Sequence, residues 1–167
     1  DGLFERLTLE AFQSGLSWLM ILRKRAAFRA AFADFHIAAV AAFGDADRDR
    51  LLADAGIVRN RLKVDAAVAN ARVAVAVIEE HGSLAAFFWR FRPETHEAPC
   101  SRAAFVAASP ESVAMATELK RRGFRFVGPT TAYALMQAAG IVNDHAGGCC
   151  VRNEVEQEQW DAAARLA

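Results

Sequence analysis

Apolar residues recur along this chain at intervals of three and four, and no stretch alternates apolar with polar residues between hairpin turns. The pattern is clearest in residues 62–78, where the apolar positions are spaced by four, three, four and three: Val64, Val68, Ala71, Val75 and Ile78. Such spacing places the side chains on one face of a helix that packs against a core. The chain therefore predicts an all-α fold.

Glycine and proline divide this helical pattern into segments. We expect helices to end near glycines, which adopt the left-handed conformation that ends many helices: Gly15, Gly82, Gly123 and Gly140. In the segment SPES, Ser109 is a candidate N-cap and Pro110 takes the first helical position. Pro129 begins a second helix of this kind. Residues 92–109 contain two of the four prolines and are predicted to form a surface loop.

The composition favours one domain in a reducing compartment. The chain has 167 residues, of which 54% are hydrophobic, and this composition predicts a single helical domain over residues 1–167. We also expect a monomer. No apolar run reaches the length of about eighteen residues that a membrane span needs, so no membrane association is expected. Three cysteines, two of them adjacent, are a poor basis for disulfides and favour the cytoplasm. The chain opens at Asp1 within a helical pattern, so we expect that an N-terminal segment is missing.

The formal net charge is zero, so contact with nucleic acid would have to come from local clusters of basic residues. One cluster lies in residues 47–78, which predict two helices joined by a short turn that contains Gly56. Arg59, Arg61 and Lys63 lie in and just after this turn. Together with the backbone N–H groups that begin the second helix, they are suited to bind a DNA phosphate. The alternative is an ordinary corner between two helices.

The stretch LEAFQSGLSW combines a glutamate at the edge of a helical face with a tryptophan after the helix end. On a helical wheel of about 100° per residue, Glu10 lies about 60° from Leu7 and borders the apolar face. Because Gly15 ends the helix and Trp18 follows, we expect the carboxylate and the aromatic ring to converge on a pocket for a flat, hydrogen-bonding ligand. The alternative is a surface ion pair between Glu10 and Arg6, four residues earlier.

The segment NDHAGGCC, within residues 140–150, places His145 and Cys149 four residues apart. A neutral imidazole and a thiolate are good zinc ligands, but a structural zinc site needs four ligands and this segment offers two. The alternative is a core histidine beside a buried thiol. The spacing alone leaves both interpretations open.

Three stretches together resemble the bacterial 3-methyladenine DNA glycosylase I family, a branch of the helix-hairpin-helix DNA glycosylases. They are LEAFQSGLSWLMILRKR, DAGIVRNRLKVDAAVANAR and LKRRGFRFVGPTTAYALMQAAGIVNDHAGGCC, and their order and spacing match the family. The resemblance covers Leu3 to about Cys150, which is most of the chain. It implies a helix-hairpin-helix glycosylase fold with the hairpin in residues 47–78.

The resemblance also implies roles for residues of the opening stretch. Glu10 would be the catalytic carboxylate that recognises the alkylated adenine, and Trp18 would be an aromatic wall of the same pocket. Residues 13–17 would lie against the DNA, with Gln13 and Gly15 in contact with it. Leu16 would fill the gap that the extruded base leaves in the stack.

A structural zinc site is a further implication of the resemblance. His145 and Cys149 would be its C-terminal half, and the other cysteine and histidine lie in the family's N-terminal segment. That segment, which also carries a pocket tyrosine, is absent from this sequence, and Tyr133 does not match the tyrosine's position. The chain also departs from the family at Ala11 and Phe12, where a glycine is expected after the glutamate.

The implied function is a monofunctional DNA glycosylase that hydrolyses the N-glycosidic bond of 3-methyladenine in alkylated double-stranded DNA. Such an enzyme acts in base excision repair, on the nucleoid of the bacterial cytoplasm. No lysine is obviously placed to form a Schiff base, so lyase activity is not expected. The competing function is a non-catalytic helix-hairpin-helix module for DNA binding or protein interaction, which would bind DNA without releasing a base.

Overall fold

The computed structural model describes residues 1–166. Nine α-helices lie in this range: α1 (Gly2–Gln13), α2 (Trp18–Ala31), α3 (Ile37–Ala41), α4 (Asp45–Ala53), α5 (Arg61–His81), α6 (Leu84–Trp89), α7 (Pro110–Arg122), α8 (Pro129–Ala138) and α9 (Arg152–Leu166). Two 3₁₀ turns occur at Ala33–Phe35 and Arg102–Ala104. The described residues contain no strand, which confirms the predicted all-α class. None of these helices has both the length and the apolar character that a bilayer span requires.

Phenylalanine side chains from α1, α2 and the turn after α2 form an aromatic cluster in the core. Phe12 packs edge-on against Phe28 with the ring centroids 4.8 Å apart, and Phe32 stacks on Phe35 at 5.6 Å. All four side chains are fully buried. Aromatic pairs of these geometries contribute about 0.5–1.5 kcal/mol each beyond the area that they bury. The cluster holds α2 against α1 and so fixes the turn that joins them.

The longest helix, α5, packs against α1 and α3. Its buried line along one face consists of Val64, Ala67, Ala71 and Ala74. The predicted face is confirmed at Val64 and Ala71, which are buried, and Val75 and Ile78 are half-buried and pack against the core, whereas Val68 is half-buried without belonging to that cluster. Because alanine has no side-chain atoms beyond Cβ, neighbouring helices approach α5 closely along the alanine line. The larger valines are left at its margin.

Capping residues confirm several of the predicted helix ends. Gly15 and Gly123 follow the ends of α1 and α7 with φ of +76° and +101°. Ser109 Oγ accepts a hydrogen bond from the Ser112 N–H at 3.2 Å, and α7 begins at the proline between them. Residues 92–109 are irregular apart from one short turn, as predicted for a loop.

The C-terminal helix α9 was not anticipated from the sequence. It packs against α6, and the Arg92 guanidinium lies 4.7 Å from the ring centre of Trp160. Gln159 Nε2 donates a hydrogen bond to the Gly140 carbonyl at 2.7 Å. These contacts join the helix to the end of α8 and to the loop after α6.

Candidate active site

A tight turn between α1 and α2 brings Trp18 beside Glu10. The Leu16 N–H donates to the Gln13 carbonyl at 2.6 Å, and Gln13 Nε2 donates to the Leu16 carbonyl at 2.8 Å. Gly15 adopts the positive φ that this turn requires. The side chain of Gln13 therefore closes the turn, while Leu16 is half-buried against the core. The expected contacts of Gln13, Gly15 and Leu16 with DNA stay predictions.

Glu10 is a buried carboxylate without a partner. The residue is 9% exposed, and within residues 1–166 its side chain makes no hydrogen bond or salt bridge. The alternative pair with Arg6 does not form. Burial raises the pKa of Glu10 above its ordinary value. An unpaired buried carboxylate lowers the stability of the fold, so its presence points to a ligand that compensates it.

A cavity of about 100 Å³ connects Glu10 to the aromatic ring. It is lined by residues of α1, α2 and α8: Glu5, Arg6, Leu9, Glu10, Trp18, Leu22, Arg25 and Ala138. Trp18 is 39% exposed and lines the cavity, so part of its side chain is open to a ligand there. The carboxylate and the aromatic ring therefore converge as predicted, whereas their roles toward a substrate stay predictions.

The second carboxylate of this cavity, Glu5, is neutralised. Its oxygens accept hydrogen bonds from Arg25 at 2.7 Å and from Arg29 at 3.0 Å. This ion pair joins α1 to α2, and sequence analysis did not identify it. The sequence feature that could have indicated this ion pair is the spacing of the two arginines, which lie four residues, or about one helical turn, apart on α2. Glu10 is thus the carboxylate of the cavity that stays free for a cation.

A larger groove of about 710 Å³ adjoins the α1–α2 turn at Ser14. Ser14 and residues between Lys120 and Thr131 line it, and none of the lining residues is acidic. Because a cationic base is recognised by an acceptor, we consider the smaller cavity the better candidate for the substrate site.

Gly56 has a structural role instead of the predicted role in DNA binding. Its N–H donates to Asp54 Oδ1 at 2.7 Å and is not free for a phosphate. A Cβ at this position would lie 2.9 Å from that oxygen and 3.0 Å from the Cβ of Ala27. Lys24 Nζ binds the carbonyls of Ala55 and Gly56 at 2.9 and 3.1 Å. The close approach of α2 to the hairpin therefore requires a glycine.

Lys63 is also placed differently from the prediction. The residue is 8% exposed, and its Nζ donates to the carbonyls of Phe12 at 2.9 Å and Ser14 at 2.6 Å. These carbonyls belong to the end of α1, where unpaired acceptors and the helix dipole favour a cation. Lys63 therefore caps α1 instead of presenting a charge to DNA. Burial lowers its pKa, but the two carbonyls favour the ammonium form.

The tip of the hairpin presents two cations. Arg59 and Arg61 are exposed, and neither side chain has a partner among residues 1–166. Asn60 caps α5 by accepting a hydrogen bond from the Lys63 N–H at 3.2 Å. The N–H groups of Arg61 and Leu62, at the start of the same helix, have no acceptor in the described range. The predicted phosphate contacts of both arginines are compatible with this arrangement and stay predictions.

His145 and Cys149 lie close together in the turn after α8. The distance from Cys149 Sγ to His145 Nδ1 is 3.4 Å, which confirms the predicted convergence. His145 is exposed and Cys149 is half-buried, so the alternative of a core histidine beside a buried thiol is wrong. Two ligands of one tetrahedral zinc at about 2.0–2.3 Å lie about 3.5 Å apart, so the pair fits half of a site. No group of three or more potential ligands occurs within residues 1–166.

Comparisons with known proteins identify the class of fold. A crystal structure of 3-methyladenine DNA glycosylase I superposes with a TM-score of 0.82 and 42% identity, covering 89% of this chain and 83% of that one. The enzyme of the same name from Staphylococcus aureus, in a structure that describes recognition of 3-methyladenine, gives a TM-score of 0.84 at 31% identity, covering 90% and 81%. The helical architecture is therefore that of a DNA glycosylase.

The family is identified by the sequence as well. The family model for methyladenine glycosylase matches residues 1–153. DNA-3-methyladenine glycosylase 1 of Escherichia coli K12 is 41% identical over 152 residues, which are 89% of this chain and 80% of the relative. A relative from Haemophilus influenzae is 37% identical, with 88% and 80% covered. The chain belongs to the methyladenine glycosylase family.

Proposed function

We propose that this chain is a DNA glycosylase of base excision repair, which hydrolyses the N-glycosidic bond of 3-methyladenine in alkylated double-stranded DNA. The observation that carries the proposal is the free, buried carboxylate of Glu10, which lines one cavity with the partly exposed side chain of Trp18. Relatives that are 41% and 37% identical carry the name DNA-3-methyladenine glycosylase, and a 31% identical structure contains 3-methyladenine.

The positive charge of the substrate explains why this cavity suits it. Methylation at N3 makes the adenine ring cationic, so the base is already a good leaving group and needs no strong general acid. Ionised Glu10 accepts hydrogen bonds from the polar edge of the base, and charge-assisted bonds are about twice as strong as neutral ones. A cationic ring against Trp18 adds about 2 kcal/mol when desolvated. Unmodified adenine lacks the charge and loses the cation–π contribution.

The reaction requires that the nucleotide leave the duplex, at a cost of a few kcal/mol that is smaller for a damaged base. The bond between C1′ and the base then breaks, and its electron pair neutralises the cationic ring. Water adds to C1′ and loses a proton to solvent, leaving an abasic site. The residues that line the cavity include no lysine, so no Schiff base is expected and the enzyme is monofunctional.

Binding of the duplex would use the cations at the tip of the hairpin. Arg59, Arg61 and the free N–H groups at the start of α5 would contact phosphates. Leu16 would occupy the space of the extruded base. We further propose that the enzyme works as a monomer on the DNA of the nucleoid.

His145 and Cys149 would supply two ligands of a structural zinc ion, for which their separation of 3.4 Å is suitable. Zinc would hold the turn after α8 to whatever segment provides the remaining ligands. The hydrolytic chemistry proposed above does not involve this metal.

The decisive experiment is to incubate the protein with methylated DNA and measure free 3-methyladenine by chromatography, beside a Glu10→Gln variant. We expect release by the wild-type protein and a strong loss in the variant. A non-catalytic helix-hairpin-helix module would bind the same DNA and release nothing. Full release by a folded Glu10→Gln protein would refute the role of Glu10.

A further inference from the structure

The C-terminal helix α9 lies against the turn that carries His145 and Cys149. Only its first two residues fall within the part of the chain that the family model matches, so the match assigns no role to this helix. Gln159 is buried and donates to the Gly140 carbonyl at 2.7 Å, and the first residue of the helix, Arg152, contacts the turn itself. The helix therefore holds the turn at two separate points.

The guanidinium of Arg152 binds several backbone carbonyls at once. One of its terminal nitrogens, Nη1, donates to the carbonyls of Asn143, at 2.8 Å, and His145. The other, Nη2, lies 3.5 Å from the His96 carbonyl in the 92–109 loop. A guanidinium carries its N–H donors in one rigid plane, so the acceptors that it binds are fixed relative to one another. Arg152 thus ties the turn to the start of α9 and to this loop.

Asn143 completes the connection from the other side. It is buried, its Nδ2 donates to the Arg152 carbonyl at 3.0 Å, and its Oδ1 accepts a hydrogen bond from the His145 N–H at 3.3 Å. The N–H and the carbonyl of His145 are therefore both held, the first by Asn143 and the second by Arg152. Because these two groups flank Cα, they fix the direction in which the imidazole leaves the backbone.

Cys149, the other member of the pair, is held by the same arginine. Its carbonyl accepts a hydrogen bond from the Arg152 N–H at 3.1 Å, and its own N–H donates to the Ala146 carbonyl at 2.9 Å. Arg152 thus contacts both members of the pair, His145 through its guanidinium and Cys149 through its backbone N–H. The separation of 3.4 Å between Cys149 Sγ and His145 Nδ1 is maintained around this one residue.

The residues between the two predicted ligands make such support important. They include Gly147 and Gly148, and glycine loses more backbone freedom on ordering than any other residue. A turn that became ordered only when a metal binds would lose this entropy at that moment, which reduces the affinity. The bonds of Arg152 join protein groups to each other, so they order the turn before a metal arrives. Partners that orient metal ligands in this way typically change the metal affinity by about 10- to 100-fold.

We propose that Arg152 is a positioning residue for zinc: its guanidinium holds His145 and Cys149 in ligating geometry and so raises the affinity of the protein for the metal. The inference rests on the zinc site proposed above and takes zinc as the ligand. It assigns a task to α9 that is independent of the hydrolysis of the glycosidic bond.

The test compares the zinc affinity of the wild-type full-length protein with that of variants in α9, by competition against a chromophoric chelator. Arg152→Ala should bind zinc about 10- to 100-fold more weakly than the wild-type protein. Arg165→Ala is the matched control, because that arginine donates to the Asp161 carbonyl of its own helix, and its zinc affinity should be unchanged. Arg152→Lys should recover part of the affinity, since an ammonium group can donate to two carbonyls, as that of Lys63 does.

A spectroscopic measurement and an exchange measurement separate positioning from folding. With cobalt(II) in place of zinc, the absorption band of the cobalt–thiolate bond should reach its midpoint at about 10- to 100-fold higher cobalt for Arg152→Ala. In the metal-free proteins, the amide hydrogens of His145 and Cys149 should exchange about 10-fold faster in this variant, as expected for loss of a hydrogen bond to a charged group. The unfolding temperatures of Arg152→Ala and Arg165→Ala should be similar, because the turn opens locally while the core stays folded.

The proposal is wrong if Arg152→Ala binds zinc as tightly as the wild-type protein, if Arg165→Ala weakens zinc binding equally, or if the two amide hydrogens exchange at the wild-type rate in Arg152→Ala. It is also wrong if the wild-type full-length protein binds no zinc, because the proposed metal site then fails with it. Release of 3-methyladenine from methylated DNA is measured separately, so a failure of the glycosylase function is distinguished from a failure of this inference.

Discussion

Replacing Lys63 with methionine removes a buried ammonium group but keeps the length and most of the volume of the side chain. The ammonium donates to the Phe12 carbonyl at 2.9 Å and to the Ser14 carbonyl at 2.6 Å. Both carbonyls lie at the end of α1, immediately after the turn of helix that carries Glu10. The substitution therefore tests whether Lys63 supports the active-site turn or binds DNA.

The expected loss of stability follows from the two bonds. Hydrogen bonds to charged groups contribute about 1.5–3 kcal/mol each. Ser14 is exposed, so water can replace the lysine there, whereas Phe12 is fully buried and its carbonyl would stay unpaired. We therefore expect a net loss of about 2 kcal/mol. In a chain of this size, each kcal/mol lowers the Tm by about 2–4 °C, so the Tm should fall by about 4–8 °C.

Arg61→Met on the same helix is the matched control, since Arg61 is exposed and has no partner among residues 1–166. It should leave the Tm unchanged, weaken binding to any duplex alike, and reduce the slope of log affinity against log salt by about one. Lys63→Met should lower the Tm and leave the salt slope unchanged. Calorimetry and a salt titration of DNA binding measure both quantities.

The reasoning would be refuted by the opposite pattern. If Lys63→Met unfolds at the wild-type temperature and loses one unit of salt slope, the lysine binds a phosphate as the sequence first indicated. The capping role assigned by the structure would then be wrong.

Other predictions concern the carboxylate and the metal. Glu10→Gln should lower release of 3-methyladenine about 10- to 150-fold, as expected for losing charge-assisted contacts. The same variant should unfold at a higher temperature than the wild-type protein at neutral pH, because burial raises the pKa of Glu10 and its ionisation therefore opposes folding. This difference in unfolding temperature should vanish below about pH 4, where the carboxyl of the wild-type protein is protonated in the folded and the unfolded state. The rate at which the wild-type protein releases 3-methyladenine should fall as the pH drops through the raised pKa of Glu10, so the midpoint of the pH–rate profile should lie above the pKa of an exposed glutamate. A midpoint at the pKa of an exposed glutamate would contradict the argument from burial. If the full-length protein carries a preceding cysteine and histidine, metal analysis should find one zinc ion per chain, and the His145→Ala variant should contain none. If the full-length protein lacks these two residues, no stoichiometric zinc should be found.

Local features of the sequence determined much of the candidate site. The convergence of Glu10 and Trp18 depends on a helix period and a turn closed by neighbours three residues apart. The approach of His145 to Cys149 spans four residues. Interactions over such short separations follow from backbone geometry and side-chain type, so a pattern of residues is sufficient to predict them.

The roles of two residues were decided by contacts between distant parts of the chain. Lys63 meets carbonyls 49 and 51 positions away. Gly56 is required by a neighbour on α2. In the sequence, Lys63 has the same charge and surroundings as Arg59 and Arg61, which stay in solvent. Whether a cation on a helix is buried or exposed depends on which element packs over it, and only the tertiary structure determines that packing.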